Sequence, residues 1–239
     1  MKILINNSDL RKYRQIGKQV NADDFNGKSR EIQENQLTEL LGEALSYDFF
    51  NYLDNDWDSQ EATFVRNSDY QFTATEVDLS SFVNYALKIN DEVFVIVKTA
   101  TLVGYDTVLT VEGYELPETI VTLKYKSESN YIKLLNGTSY IVNSNPVKFN
   151  GLRPFICWHY LALNIAIGNV KHSDVGVISL MPENRPNGYD LNASRSTSLQ
   201  NALREYNRIV NYLNENEYIF PLWDSKNDEN ITNLEMIII

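Results

Sequence analysis

The chain has 239 residues, 43% of them hydrophobic, with 21 Lys and Arg set against 32 Asp and Glu for a formal charge of −11. Such a length and apolar content support one domain, or one domain carrying a large insertion, around a real core. The acidic balance repels nucleic-acid phosphates and anionic lipid, and the single cysteine, Cys157, rules out an internal disulfide.

The opening MKILINNSDL holds too few apolar residues for a signal peptide, so a cytosol, or a particle assembled in one, is the expected compartment. The Asn-x-Ser/Thr triplets at Asn136, Asn192 and Asn230 are then expected to carry no glycan. Ser8 reads as the N-cap of a short helix through Leu10, Tyr13 and Ile16, closed by Gly17. A polar loop is expected over Asn21–Gly27. A helix from about Ser29 to Tyr52 follows, since Leu37, Leu40, Leu41, Ala44, Leu45 and Phe49 recur at helical spacing.

After Trp57 the composition turns to Val, Thr and Tyr. Residues 92–103 (EVFVIVKTATLV), 107–115 (TVLTVEGYE) and 119–125 (TIVTLKY) read as strands. Gly104-Tyr105-Asp106 and Leu116-Pro117-Glu118 supply the turns of an antiparallel meander. Before them, Leu79, Phe82, Val83, Ala86 and Leu87 suggest one more short helix.

Helical spacing returns over Ser129–Leu135 and stops at Asn136-Gly137. A small hairpin is expected from Ser139–Val142 and Val147–Phe149. Next comes the run NGLRPFICWHYLALNIAIGN, opened by Gly151 and Pro154 and stopped by Gly168. Its residues leave no continuous polar face, so it is expected as a buried helix coated by other segments. It is too short, and carries Arg153, His159 and Asn164, for a membrane span. Val175–Leu180 reads as a strand and 182–192 as a loop. A final helix follows, with a stripe of Leu199, Ala202, Leu203, Tyr206, Ile209, Val210 and Leu213, and with Arg204, Glu205, Asn207 and Arg208 facing water.

The expected fold class is therefore α+β: a mainly helical domain around a buried central helix, with an inserted antiparallel β meander. In residues, the helical domain is 1–59 with 126–223, the β-rich insertion is 60–125, and the tail is 224–239.

Four stretches invite a chemical reading, and each has a simpler one. Ala22–Ser29 loosely fits a phosphate loop, but Asp23 and Asp24 would repel phosphate; Asn26 or Ser29 as a helix cap is the alternative. Asp54, Asp56, Asp58 and Glu61 begin like a calcium loop, yet Ser59 and Val65 replace the turn glycine and the bidentate glutamate. Cys157 and His159, two apart on a helix, project about 200° from each other and cannot form a dyad. His172-Ser173-Asp174 has the letters of a triad, but triads assemble from distant segments. No catalytic residues, metal ligands or cofactor are assigned.

The last six residues differ in kind. Leu234, Met236, Ile237, Ile238 and Ile239, with Glu235 among them, follow a polar linker. They either return to the chain's own sheet or add to another chain as a strand or pocket filler.

The order of four stretches resembles the head–tail connector (adaptor) proteins of tailed bacteriophages, especially those of Bacteroides-type gut bacteria, including crAss-like phages. These are QLTELLGEALSYDFFNYL (36–53), LLNGTSYIVNSNPVKFNGLRPFICWHYLALNIAIGN (134–169), VKHSDVGVIS (170–179) and the closing helix to YIFPLW (218–223). The 60–125 insertion departs from the shorter members. The resemblance implies a structural virion protein at the head–tail junction. It implies a homo-oligomeric ring, as a rule a dodecamer, docked on the portal protein and contacting further connector or tail proteins. DNA would pass through its channel without specific binding, and no membrane is involved. It also places a partner interface on Leu234, Met236, Ile237, Ile238 and Ile239, with the 92–125 strands as a second. The alternative expectation is a soluble, non-enzymatic module that recognises a protein or carbohydrate through the β insertion.

Overall fold

The computed structural model describes residues 4–5, 7–13, 22–164, 170–173, 176–179 and 188–224. The helices are α1 (Asn7–Tyr13), α2 (Ala22–Ile32), α3 (Thr38–Leu41), α4 (Glu43–Asp54), α5 (Asn130–Asn136), α6 (Leu152–Asn164) and α7 (Gly188–Glu215). The strands are β1 (Asp58–Gln60), β2 (Thr63–Ser68), β3 (Gln71–Thr75), β4 (Ala86–Ile89), β5 (Val93–Val103), β6 (Asp106–Glu112), β7 (Leu123–Lys126), β8 (Thr138–Val142), β9 (Asn145–Phe149), β10 (Val170–Ser173) and β11 (Gly176–Ser179). The fold is mixed α+β, as expected. The chain divides into two compact units, one of residues 3–47 with 152–239 and one of residues 48–151.

In the first unit α6 is the buried centre. Leu152, Phe155, Ile156, Cys157, Tyr160, Leu161 and Ala162 are all within 5% of full burial. α7 lies along α6, and α1 and α2 also contact it. Ring pairs mark these contacts: Tyr13 with Trp158 at 5.2 Å, Phe25 with Tyr160 at 5.1 Å and Phe155 with Tyr206 at 6.4 Å. Arg153, in the first turn of α6, donates to the Leu4 carbonyl and sits 3.6 Å from the buried Asp9 carboxylate.

Four expectations in this unit need correction. α1 begins at Asn7, so Ser8 lies inside the helix rather than capping it. Ala22–Gly27 is helix, not loop, and Asn26 and Ser29 lie inside α2 rather than capping it. Gly27 costs a helix about 1 kcal/mol, but burying Phe25 and Ile32 outweighs it. The single helix expected over 29–52 is interrupted by a π turn at Gln33–Leu37 and by Gly42 in the left-handed region (φ 76°). The interruption turns Ala44 outward and lets buried Gln33 accept from the Leu4 N–H at 2.7 Å. In α7, which starts at Gly188 rather than after 192, Glu205 is buried rather than facing water, and it pairs with Arg208 at 2.5 Å. The expected stops at Gly17 and Gly168 lie outside the described residues.

The second unit is built on an open, seven-stranded antiparallel sheet of order β1-β7-β4-β5-β6-β3-β2. β4, β5 and β6 form the meander; β7 enters between β4 and β1. One face carries a continuous core that includes Phe72, Leu79, Leu87, Val95, Leu109 and Leu123. β4 replaces the short helix expected around 79–87, leaving a single 3-10 turn at Ser80–Phe82. All four β4 residues are buried, so the strand lacks the alternation that reveals half-buried strands. The 119–125 run becomes strand only from Leu123, because the Asn90 side chain accepts from the N–H groups of Val121 and Thr122 at 2.8 and 3.2 Å. The β8–β9 hairpin forms as expected, bracketed by Gly137 (φ 92°) and Gly151 (φ 83°).

Candidate interaction surface

β5 has 11 residues, whereas β4 pairs only with Val93–Ile96. Asn84 and Tyr85 extend that pairing to Val97, and a bulge at Lys98 follows. Beyond it, Thr99–Val103 has backbone hydrogen bonds to β6 alone among the described residues. The turn is a two-residue one at Gly104-Tyr105, with Gly104 at φ 67° and Val103 opposite Asp106. A two-residue turn makes Val103 and Asp106 a hydrogen-bonded pair, and the pattern alternates from there. Thr99, Thr101 and Val103 therefore face β6 with their amides, while Ala100 and Leu102 direct theirs away from it.

The tip is apolar and exposed: Leu102 is 45%, Val103 59% and Tyr105 86% accessible. The segment after β3 is fastened beside it. Glu76 N–H donates to Asp106 Oδ1 at 2.9 Å, Leu79 N–H to Thr107 Oγ1 at 2.9 Å, and that hydroxyl to the Val77 carbonyl at 2.7 Å. Between segment and tip lies an open depression of about 420 Å³ lined by Glu76, Asp78, Leu102, Gly104 and Tyr105. Hydrogen bonds from Ser80 hold the Asp78 carboxyl below its usual range, so it stays charged. Apolar rims, free amides and fixed carboxylates suit binding of a chain or ligand.

The residues assigned from sequence to the partner interface, Leu234, Met236, Ile237, Ile238 and Ile239, lie outside the described residues. The 92–125 strands do contain an exposed surface, at the β5–β6 tip. Its signal in the sequence was the length of the 92–103 run, which no neighbouring strand could match, with five uncharged residues before the turn.

The other motifs separate. Ala22–Ser29 is helical, so its amides are not arranged as a phosphate cradle. Asp54 ends α4, Asp56 takes φ 57° and Asp58 opens β1; among the described residues no three His, Cys, Asp or Glu side chains could hold a metal. Burial raises the Cys157 thiol and lowers the His159 imidazole to about 4, leaving both neutral near pH 7. His172 and Ser173 stand on β10 opposite Val177 and Gly176; Asp174 lies outside the described residues.

Comparison with known proteins finds no match among curated proteins or solved structures. A family model described as a family of unknown function (DUF6712) matches residues 113–233, just over half of the chain, from the segment after β6 through α7. The chain belongs to that family.

Proposed function

We propose that this protein is a structural subunit of a phage head–tail connector ring, docking on the portal and extending the DNA channel towards the tail. The observation that carries the reading is the fold of residues 134–164. Helix end, glycine-bracketed hairpin and buried apolar helix follow in the order that the resemblance to the adaptor family implies. The charge of −11 also supports it, because an acidic lining lets DNA pass without adhering. Coexpression with the portal protein of the same genome tests it. Electron microscopy of the purified material is expected to show a ring of this chain on the portal; a bare portal overturns the reading.

One observation favours a second reading, a binding module working through the β insertion. Tyr105 and Leu102 line a depression with two carboxylates, a surface that could hold a protein segment or a sugar. In that case the chain would stay monomeric with portal present.

A further inference from the structure

We propose that the outer edge of β5 between Lys98 and Val103 is a docking site for an extended, basic segment of another protein, which adds to the sheet as a strand. This goes beyond the connector reading and does not depend on it.

The edge has what strand addition needs. Ala100 and Leu102 present two N–H and two C=O groups with no partner among the described residues. Proteins normally guard such an edge with proline, lysine or a covering loop. Here Thr99-Ala100-Thr101-Leu102-Val103 contains neither proline nor charge, and all but half-buried Ala100 are exposed. The bulge at Lys98 precedes this stretch and leaves its pleat regular up to the turn.

Charge selects the partner. Glu76 and Asp78 are exposed beside Leu102 and Tyr105, and among the described residues neither forms an ion pair. A strand laid along β5 with a Lys or Arg on the Leu102 face, near the turn, would bring its cation to these carboxylates. At the other end Lys98 is itself exposed, so the basic residue belongs at the turn end alone. Alternate apolar or β-branched residues would complete the contact with Leu102 on one face and Val103 on the other.

The test uses the full chain, immobilised, and a display library of random seven-residue peptides. Enriched peptides are expected to alternate β-branched or aromatic residues and to carry Lys or Arg. Leu102→Pro should weaken their binding about tenfold or more without shifting the thermal midpoint by more than a few degrees, because this N–H makes no bond to β6. A Glu76→Lys, Asp78→Lys double variant should enrich acidic peptides instead. Amide exchange on the unmodified chain gives an independent readout: Ala100 and Leu102 exchange fast alone and slowly with peptide. Absence of enrichment, equal binding by the proline variant, or slow exchange of both amides without peptide would overturn the proposal. So would protection that rises with protein concentration alone, which would mean that the edge pairs with a second copy.

Discussion

Lys88, on the interior strand β4, places its ammonium 2.9 Å from the main-chain carbonyl of Leu53 in the last turn of α4. The group is buried, lies over the Trp57 and Phe94 rings at 5.4 and 5.8 Å, and has Asp91 at 3.9 Å. Lys126 does the same for the Tyr52 carbonyl at 2.9 Å. Two cations thus satisfy carbonyls that a helix end leaves without partners, and both complement its dipole. Lys88→Met keeps most of the unbranched apolar stem but strands the Leu53 carbonyl. A loss of about 2 kcal/mol is expected, the range for a hydrogen bond to a charged group, measured as the urea midpoint. An unchanged midpoint would mean that the ammonium contributes only packing.

Gly137 and Gly151 meet at the base of the β8–β9 hairpin. A Cβ on Gly151 would run into the Leu135 carbonyl and come within 2.7 Å of the Asn136 carbonyl carbon; one on Gly137 would clash with the Phe149 and Asn150 main chain. Both residues also have positive φ. Gly151→Ala is expected to cost about 3 kcal/mol or more, combining left-handed strain with a clash against rigid backbone. Thermal unfolding of the variant checks this; a midpoint within two or three degrees of the parent would contradict the packing.

Gly27 is the opposite case. It lies inside α2 without positive φ, and a Cβ there would meet nothing within 4 Å. Gly27→Ala should therefore stabilise the chain by about 0.5–1 kcal/mol through the unfolded state. Destabilisation would mean that Ala22–Ser29 is not the helix described.

His159 sets a pH dependence. Burial lowers its pKa from 6.5 to about 4, and its Nε2 has no hydrogen-bond partner among the described residues. The unfolded chain takes up the proton below pH 6.5 and the folded chain only near 4, so stability is full above 6.5 and falls as pH drops between these values. The full effect is about 3 kcal/mol. His159→Leu should remove this component, so the difference between variant and parent midpoints should change from pH 7 to pH 4.5. A constant difference would place the imidazole in water.

Sequence patterns revealed the elements whose apolar run or stripe is long enough to set its own period. The apolar run around Phe155 and Ile156, the stripe of α7 and the alternation of β6 all became the expected elements. The patterns failed where another part of the chain supplied the deciding contact. Asn90 keeps the start of the 119–125 run out of the sheet from 31 residues away in sequence. Burial of Phe25 draws Gly27 into helix, and burial on both faces of the sheet makes Ala86-Leu87-Lys88-Ile89 a strand. The exposed tip at Leu102 was legible only as a strand longer than its neighbours. Its unpaired edge depends on β4 ending where it does, which no local pattern encodes.

The most direct test of the connector reading is quantitative mass spectrometry of DNA-filled phage particles purified from the source of this sequence. A connector ring of the size that the resemblance implies would give about a dozen copies per particle, in a simple ratio to the portal. Absence of the chain from the particle would contradict it.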